Sequence, residues 1–192
     1  MHHNEPITLQ KTVGHFLTIT HHKYLVMKGC FAVGLIRQGL MHDLSKYSPS
    51  EFLIGARYFQ GDRSPNNAER DDVGISTAWL HHKGRNKHHY EYWMDYNPKG
   101  ADRAEDAIIP MKMPGCYVIE MFMDRIAASK VYQKEKYTDQ HPLAYFERAP
   151  KNRVLLHPET YDLLYSLLKM LAEKGEEETF SYIRKHLVRK PW

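Results

Sequence analysis

The chain has 192 residues, 42% apolar and 26% charged, which is ordinary globular usage and predicts a single compact domain over 1–192. A net charge of +4 spread along the chain does not indicate nucleic-acid binding, and no apolar run approaches the ~18 residues of a membrane span. Two distant cysteines, Cys30 and Cys116, give no disulfide framework, and an N-terminus without a basic head and apolar core points to the cytoplasm.

Residues 1–8 are expected to be flexible. Leu9, Val13, Phe16, Leu17 and Thr20, then Leu25, Val26, Phe31, Leu35, Ile36 and Leu40, recur at helical spacing and predict a helical hairpin broken near Gly29. Ser48, Pro49 and Glu51 carry a capping-box signature for a helix over 49–60 that stops near Gly61. Residues 61–67 read as a loop. The next helix is expected over 68–83, with Val73, Thr77, Ala78 and Leu80 on its apolar face and Trp79 at the edge. Positions 84–113 lack periodicity and predict an irregular, site-proximal loop with at most a short helix over 87–95; a loop of that length signals function or disorder. From Pro114, the pattern Val118, Met121, Phe122, Ile126, Ala127 and Val131 predicts a strong amphipathic helix, and two more are expected over 158–174 and 177–189. With almost no strand signal, the fold class is all-α, with about seven helices.

Thirteen histidines outnumber the eleven glycines, and most fall into local groups: His21-His22, His42-Asp43, His81-His82 and His88-His89. Glu120 and Asp124 follow one helical turn apart. Neutral imidazole and carboxylate are the donors that bind divalent ions, and helices that each deliver one or two of them can build such a site in an α-fold. His82 and His89 lie either two turns apart on one helix or on a helix end and a loop, since Gly84 intervenes. The isolated His15, His141, His157 and His186 read as caps or surface groups, and His2 and His3 as terminus.

The order His22, His42-Asp43, His82, His89, Asp124 resembles the HD superfamily of metal-dependent phosphohydrolases. In that all-helical superfamily the namesake pair binds metal with an earlier histidine and a later aspartate. The stretch from His22 to Val26 is similar to the H-x-x-x-V that opens many members, and His42-Asp43-Leu44-Ser45-Lys46 to the HDxxK variant whose lysine faces an anionic substrate. The extra histidines resemble those of its binuclear branches. More closely, HDLSKYSPSEF, AWLHHKGRNKHHYEYW and MPGCYVIEMFMDRIAASK, within residues 42 to 130, resemble a family of uncharacterised bacterial and phage proteins loosely labelled "catalase". The helical His/Asp groups suit non-haem metals better than haem.

The resemblance implies an HD-like helical domain in which one or two divalent ions (Mn, Fe, Zn, Co, Ni or Mg) are held by His22, His42, Asp43, His82, His89 and Asp124. Each histidine doublet then supplies one ligand. Asp43 bridges the ions or orients a water, and Lys46, with Arg85 and Asn86, contacts a small phosphorylated substrate, a nucleotide among the options. Glu120, His81 and His88 support the ligands from outside. Tyr90, Tyr92, Trp93 and Tyr96 either stack on a nucleobase or belong to the core. The implied reaction is hydrolysis of a phosphoester by a metal-activated water. The alternatives are a non-haem di-iron oxygenase-like enzyme and a non-catalytic, metal-stabilised binding module.

Overall fold

The computed structural model describes residues 6–97, 99, 107–149 and 152–188. Among them are nine α-helices and one short hairpin, so the all-α expectation holds with two helices more than expected. The flexible segment expected at 1–8 lies outside the described residues up to position 5, and so do 98 and 100–106 of the long loop.

Helix α1 (Leu9–Val33) begins at Thr8, whose side chain accepts from Lys11 N, and ends at Gly34 in the left-handed region at φ 89°. There the Leu35 amide reaches back to Cys30 O at 2.8 Å, closing a Schellman-type cap. The break therefore falls at Gly34 and not at Gly29. A Cβ on Gly29 would come within 2.8 Å of Met123 Sδ, so that glycine allows a close helix approach and does not end the helix. The buried stripe of α1 also differs from expectation: His15, Ile19, His22, Val26, Cys30 and Val33 face inward, while Leu9 is 80% and Leu17 60% exposed. Both stripes have helical periodicity, and the packing partners of α1 select the one that carries histidines.

After α2 (Ile36–Met41) the chain turns through His42 and Asp43 into a 3₁₀ turn at Leu44–Tyr47, then α3 (Pro49–Arg57). The expected 68–83 helix is two helices, α4 (Pro65–Val73) and α5 (Thr77–Lys83), parted by Gly74 at φ 82°. Pro65 to Asn67, expected as loop, form the first turn of α4, and Val73 and Leu80 of the expected apolar face are exposed. Downstream of α5, a 3₁₀ turn at Tyr90–Trp93 leads into the antiparallel pair β1 (Met94–Tyr96) and β2 (Ile108–Pro110), with Met94 opposite Pro110.

Helix α6 (Gly115–Gln133) is the central element, followed by α7 (His141–Glu147), α8 (Asn152–Leu155) and α9 (Pro158–His186). Gly175, at φ 78° and ψ 177°, interrupts α9, which matches the two helices expected there; residue 189 lies outside the described residues. Val26, Phe122, Leu164, Leu167 and Leu168 from α1, α6 and α9 are fully buried in one apolar core, each worth about 1.5–3 kcal/mol of transfer free energy. Trp93, Tyr90 and Tyr117 pack against that core, whereas Tyr96 is 79% exposed.

Candidate metal centre

Five segments converge beside the apolar core. Helix α1 contributes His22, the turn after α2 contributes His42 and Asp43, α5 contributes His82, the following loop His88 and His89, and α6 contributes Glu120 and Asp124 on one face. The turn is held tightly. Lys23 Nζ donates to Leu40 O and His42 O, both at 2.7 Å, and Asp43 adopts a left-handed conformation at φ 54°. Such a backbone is costly for a non-glycine residue and persists where surrounding contacts dictate it. On α5, Ser76 caps the helix by accepting from Trp79 N, and the buried Glu69 carboxylate accepts from Thr77 N at 2.9 Å, which fixes the direction of His82.

Asp43 divides the cluster. Its Oδ2 lies 3.3 Å from His42 Nε2 and 3.7 Å from His22 Nε2, with Asp124 Oδ1 2.9 Å from His22 Nε2. Its Oδ1 lies 3.2 Å from His82 Nε2 and 3.3 Å from His88 Nε2. The two sets of donors, His22-His42-Asp43-Asp124 and Asp43-His82-His88-His89, each bring their ligand atoms within 4.8 Å of one another and share one carboxylate. These buried clusters could hold a metal ion.

The imidazoles are also oriented for that purpose. Glu120 Oε1 accepts from His42 Nδ1 at 2.9 Å and lies 3.1 Å from His88 Nδ1, so both rings turn Nε2 toward Asp43. Glu51 does the same for His82, accepting from its Nδ1 at 2.8 Å, and its other oxygen takes His81 Nδ1 at 2.6 Å. A carboxylate behind an imidazole fixes the tautomer whose free nitrogen can ligate a metal.

What remains unpartnered supports the same conclusion. Asp43 Oδ1 and the Nε2 atoms of His82, His88 and His89 are buried without a well-formed hydrogen bond, while Asp43 Oδ2 is met by the Lys46 ammonium at 2.6 Å. Left unmet, each such atom costs about 1–3 kcal/mol, so four together would rival the roughly 5–15 kcal/mol by which a domain is stable. Protons meet part of the deficit. Burial alone would lower the His88 pKa, but the Asp43 and Glu120 carboxylates outweigh it and raise it to about 10; His82 is raised for the same kind of reason. His89 is held well below its ordinary value, by burial first and then by the His88 and His82 charges, and its ring is neutral. Asp43 and Asp124 stay ionised: burial opposes this, but the surrounding imidazoles, and Lys46 beside Asp43, push both well below the carboxylate range.

The structure brings together all six residues expected as ligands and places a further donor among them. His88, expected as outer support, has its Nε2 inside the cluster, so the 88–89 doublet supplies both rings and not one. The 21–22 and 81–82 doublets supply one each: His21 is exposed, and His81 contacts Glu51 and Ser50. Lys46 Nζ stands 2.6 Å from Asp43 Oδ2, as an ion pair whose carboxylates outweigh burial and raise the ammonium pKa. Arg85 is exposed. Asn86 is buried, and its amide donates to Ser45 Oγ and His82 O, both at 2.8 Å, so it braces the site. Of the isolated histidines, His157 caps α9 and His141 accepts from Thr138 N, as expected. His15 departs from expectation: it is buried against Phe52 and Phe59. Glu51 is the residue that sequence reasoning missed. Three positions after Ser48 it has the spacing of a capping box, but Ser48 makes no side-chain cap bond and the carboxylate turns to the histidines.

The chain belongs to the family of unknown function DUF5662, whose pattern it matches over residues 11–170. No curated protein and no solved structure matches it. Among the described residues no helix is long and apolar enough to cross a membrane.

Proposed function

We propose that this member of DUF5662 is a metal-dependent phosphohydrolase of HD type, acting on a small phosphoester through a metal-activated water. The observation that carries the reading is Asp43, buried, with each oxygen facing its own set of imidazoles and Lys46 paired with Oδ2. His22, His42 and Asp124 would hold one divalent ion and His82, His88 and His89 a second, with Asp43 shared. Bound there, such ions lower the pKa of water toward neutrality and polarise a phosphoryl oxygen. Lys46 is placed to neutralise a further phosphoryl oxygen, and Glu120 and Glu51 hold the ligating rings in one tautomer. Five imidazoles in the donor set favour Mn, Fe, Co, Ni or Zn over Mg, which prefers oxygen ligands.

Elemental analysis of the purified protein, followed by a phosphoester panel in the matching metal, tests the proposal. The expected result is metal in stoichiometric amount and turnover of a phosphomonoester or phosphodiester. The two imidazole-rich sets that share Asp43 also suit an iron pair, which supports a second reading as a di-iron oxygenase. Bound iron with an oxidation-sensitive absorption band and no phosphatase activity would replace the hydrolase with that enzyme. A metal-stabilised but inert protein would leave a binding module.

A further inference from the structure

Beside the cluster, bordered by Lys46 and His82, is a cavity of about 70 Å³. Its polar lining comes from six parts of the chain: His15 and Thr18 on α1, Lys46 on the turn after Asp43, Glu51 on α3, Ser64 and Asn66 at the start of α4, His82 on α5, and Tyr132 near the end of α6. Lys46 joins the two spaces, since it lines the cavity while its ammonium lies against Asp43 Oδ2.

Size and chemistry limit what can enter. One water needs about 10–15 Å³ on this measure, so the cavity takes roughly five waters, well short of the ~300 Å³ at which pockets for drug-sized ligands begin. A nucleobase with its ribose does not fit. His15 is 6% exposed, and its Nδ1 is buried without a hydrogen-bond partner. A Cβ on Gly55 would collide with the His15 ring, so only glycine there allows the imidazole its position at the cavity wall. Burial, and then the Lys46 charge, keep this imidazole neutral, able to donate to or accept from a hydroxyl.

We infer that the substrate is a compact, hydroxylated phosphomonoester, its phosphate against Lys46 at the edge of the His/Asp cluster and its few-atom organic part in the cavity lined by His15, Thr18, Glu51, Ser64, Asn66 and Tyr132. The inference rests on the hydrolase reading and narrows it. It also moves substrate recognition from Arg85 and Asn86 to the residues that line the cavity.

The test uses the metal-loaded full chain with three- and four-carbon hydroxylated phosphomonoesters, glycerol 3-phosphate among them, against adenosine 5′-monophosphate. Turnover and calorimetric binding are both measured. The best compact ester is expected to exceed the nucleotide in kcat/KM by about 100-fold or more. Thr18→Phe, which fills the cavity, is expected to keep full metal content and to weaken the compact ester by about 10-fold or more, with Ser64→Leu as a second filling variant should the first not fold. Equal or better turnover of the nucleotide, or indifference of both filling variants, overturns the inference and leaves the hydrolase standing. Binding of a compact ester that the filling variants abolish, without turnover of any compound, keeps the pocket and overturns the hydrolase. Neither binding nor turnover overturns both.

Discussion

On α6, Phe122 and Ile126 enter the apolar core, while Glu120 and Asp124, two residues before each, enter the histidine cluster. Both regions are buried, and they obey different rules. The apolar core is held by non-directional contacts that each neighbour supplies in full. The cluster contains fixed, directional donors that the protein itself leaves unsatisfied. A fold keeps such a deficit only when the scaffold is stable without it, so stability is concentrated around α1, α6 and α9, and specific chemistry around Asp43.

Single substitutions break that contrast most directly. Asp43→Ala is expected to empty both donor sets and lower turnover by about 10³-fold or more, because the lost ions supply several kcal/mol of charge stabilisation. Leu167→Ala is expected to cost about 2–5 kcal/mol in denaturant unfolding with metal per folded chain unchanged. Metal retained in the first variant, or lost in the second at native conditions, would mean that the two regions are not separate. Asp124→Ala should reduce metal content as strongly as His42→Ala, since both belong to the set around Asp43 Oδ2; full retention would remove Asp124 from the ligands.

The outer carboxylates sharpen the comparison. Glu120→Ala, which touches rings of both sets, and Glu51→Ala, which touches only His82 of the second, should each weaken metal affinity by about 10–100-fold in chelator competition. The Glu51 variant should retain one tight ion. If it loses both, the two sets act as one site.

A smaller effect is expected with pH in the metal-free protein. Burial, and then Lys46, lower the His15 pKa to about 4. The folded state therefore favours the neutral ring. Its contribution is fully present above the unfolded value near 6.5 and is lost as pH falls through the folded value, roughly 2 kcal/mol between pH 7 and 5. His15→Leu should flatten the pH dependence of urea unfolding by that amount; an unchanged slope would mean that His15 is not buried neutral. Lys46→Ala should weaken substrate binding about 10-fold with metal occupancy intact. Loss of metal instead would make Lys46 a structural partner of Asp43.

The helices were legible where apolar spacing has one interpretation, as in α6 and α9. In α1 two stripes have the same period, and the more apolar one, from Leu9 to Leu17, is the exposed one. The inward stripe is chosen by what α3 and α6 present to it. The donor cluster was legible because grouped histidines and a late aspartate in such an order point to one shared site. Glu51 was not, because a carboxylate three residues after a serine is equally a helix cap, and only the approach of α5 to α3 turns it toward His81 and His82.

The amino-acid order alone determined an all-α chain and the donor types gathered in it, since helical period and side-chain chemistry are local properties. Which nitrogen of each ring faces inward, that both members of the 88–89 doublet do so, and that Asp43 presents one oxygen to each set are decided by the tertiary structure. They depend on directions across five segments distant in sequence, and direction is fixed only when those segments pack.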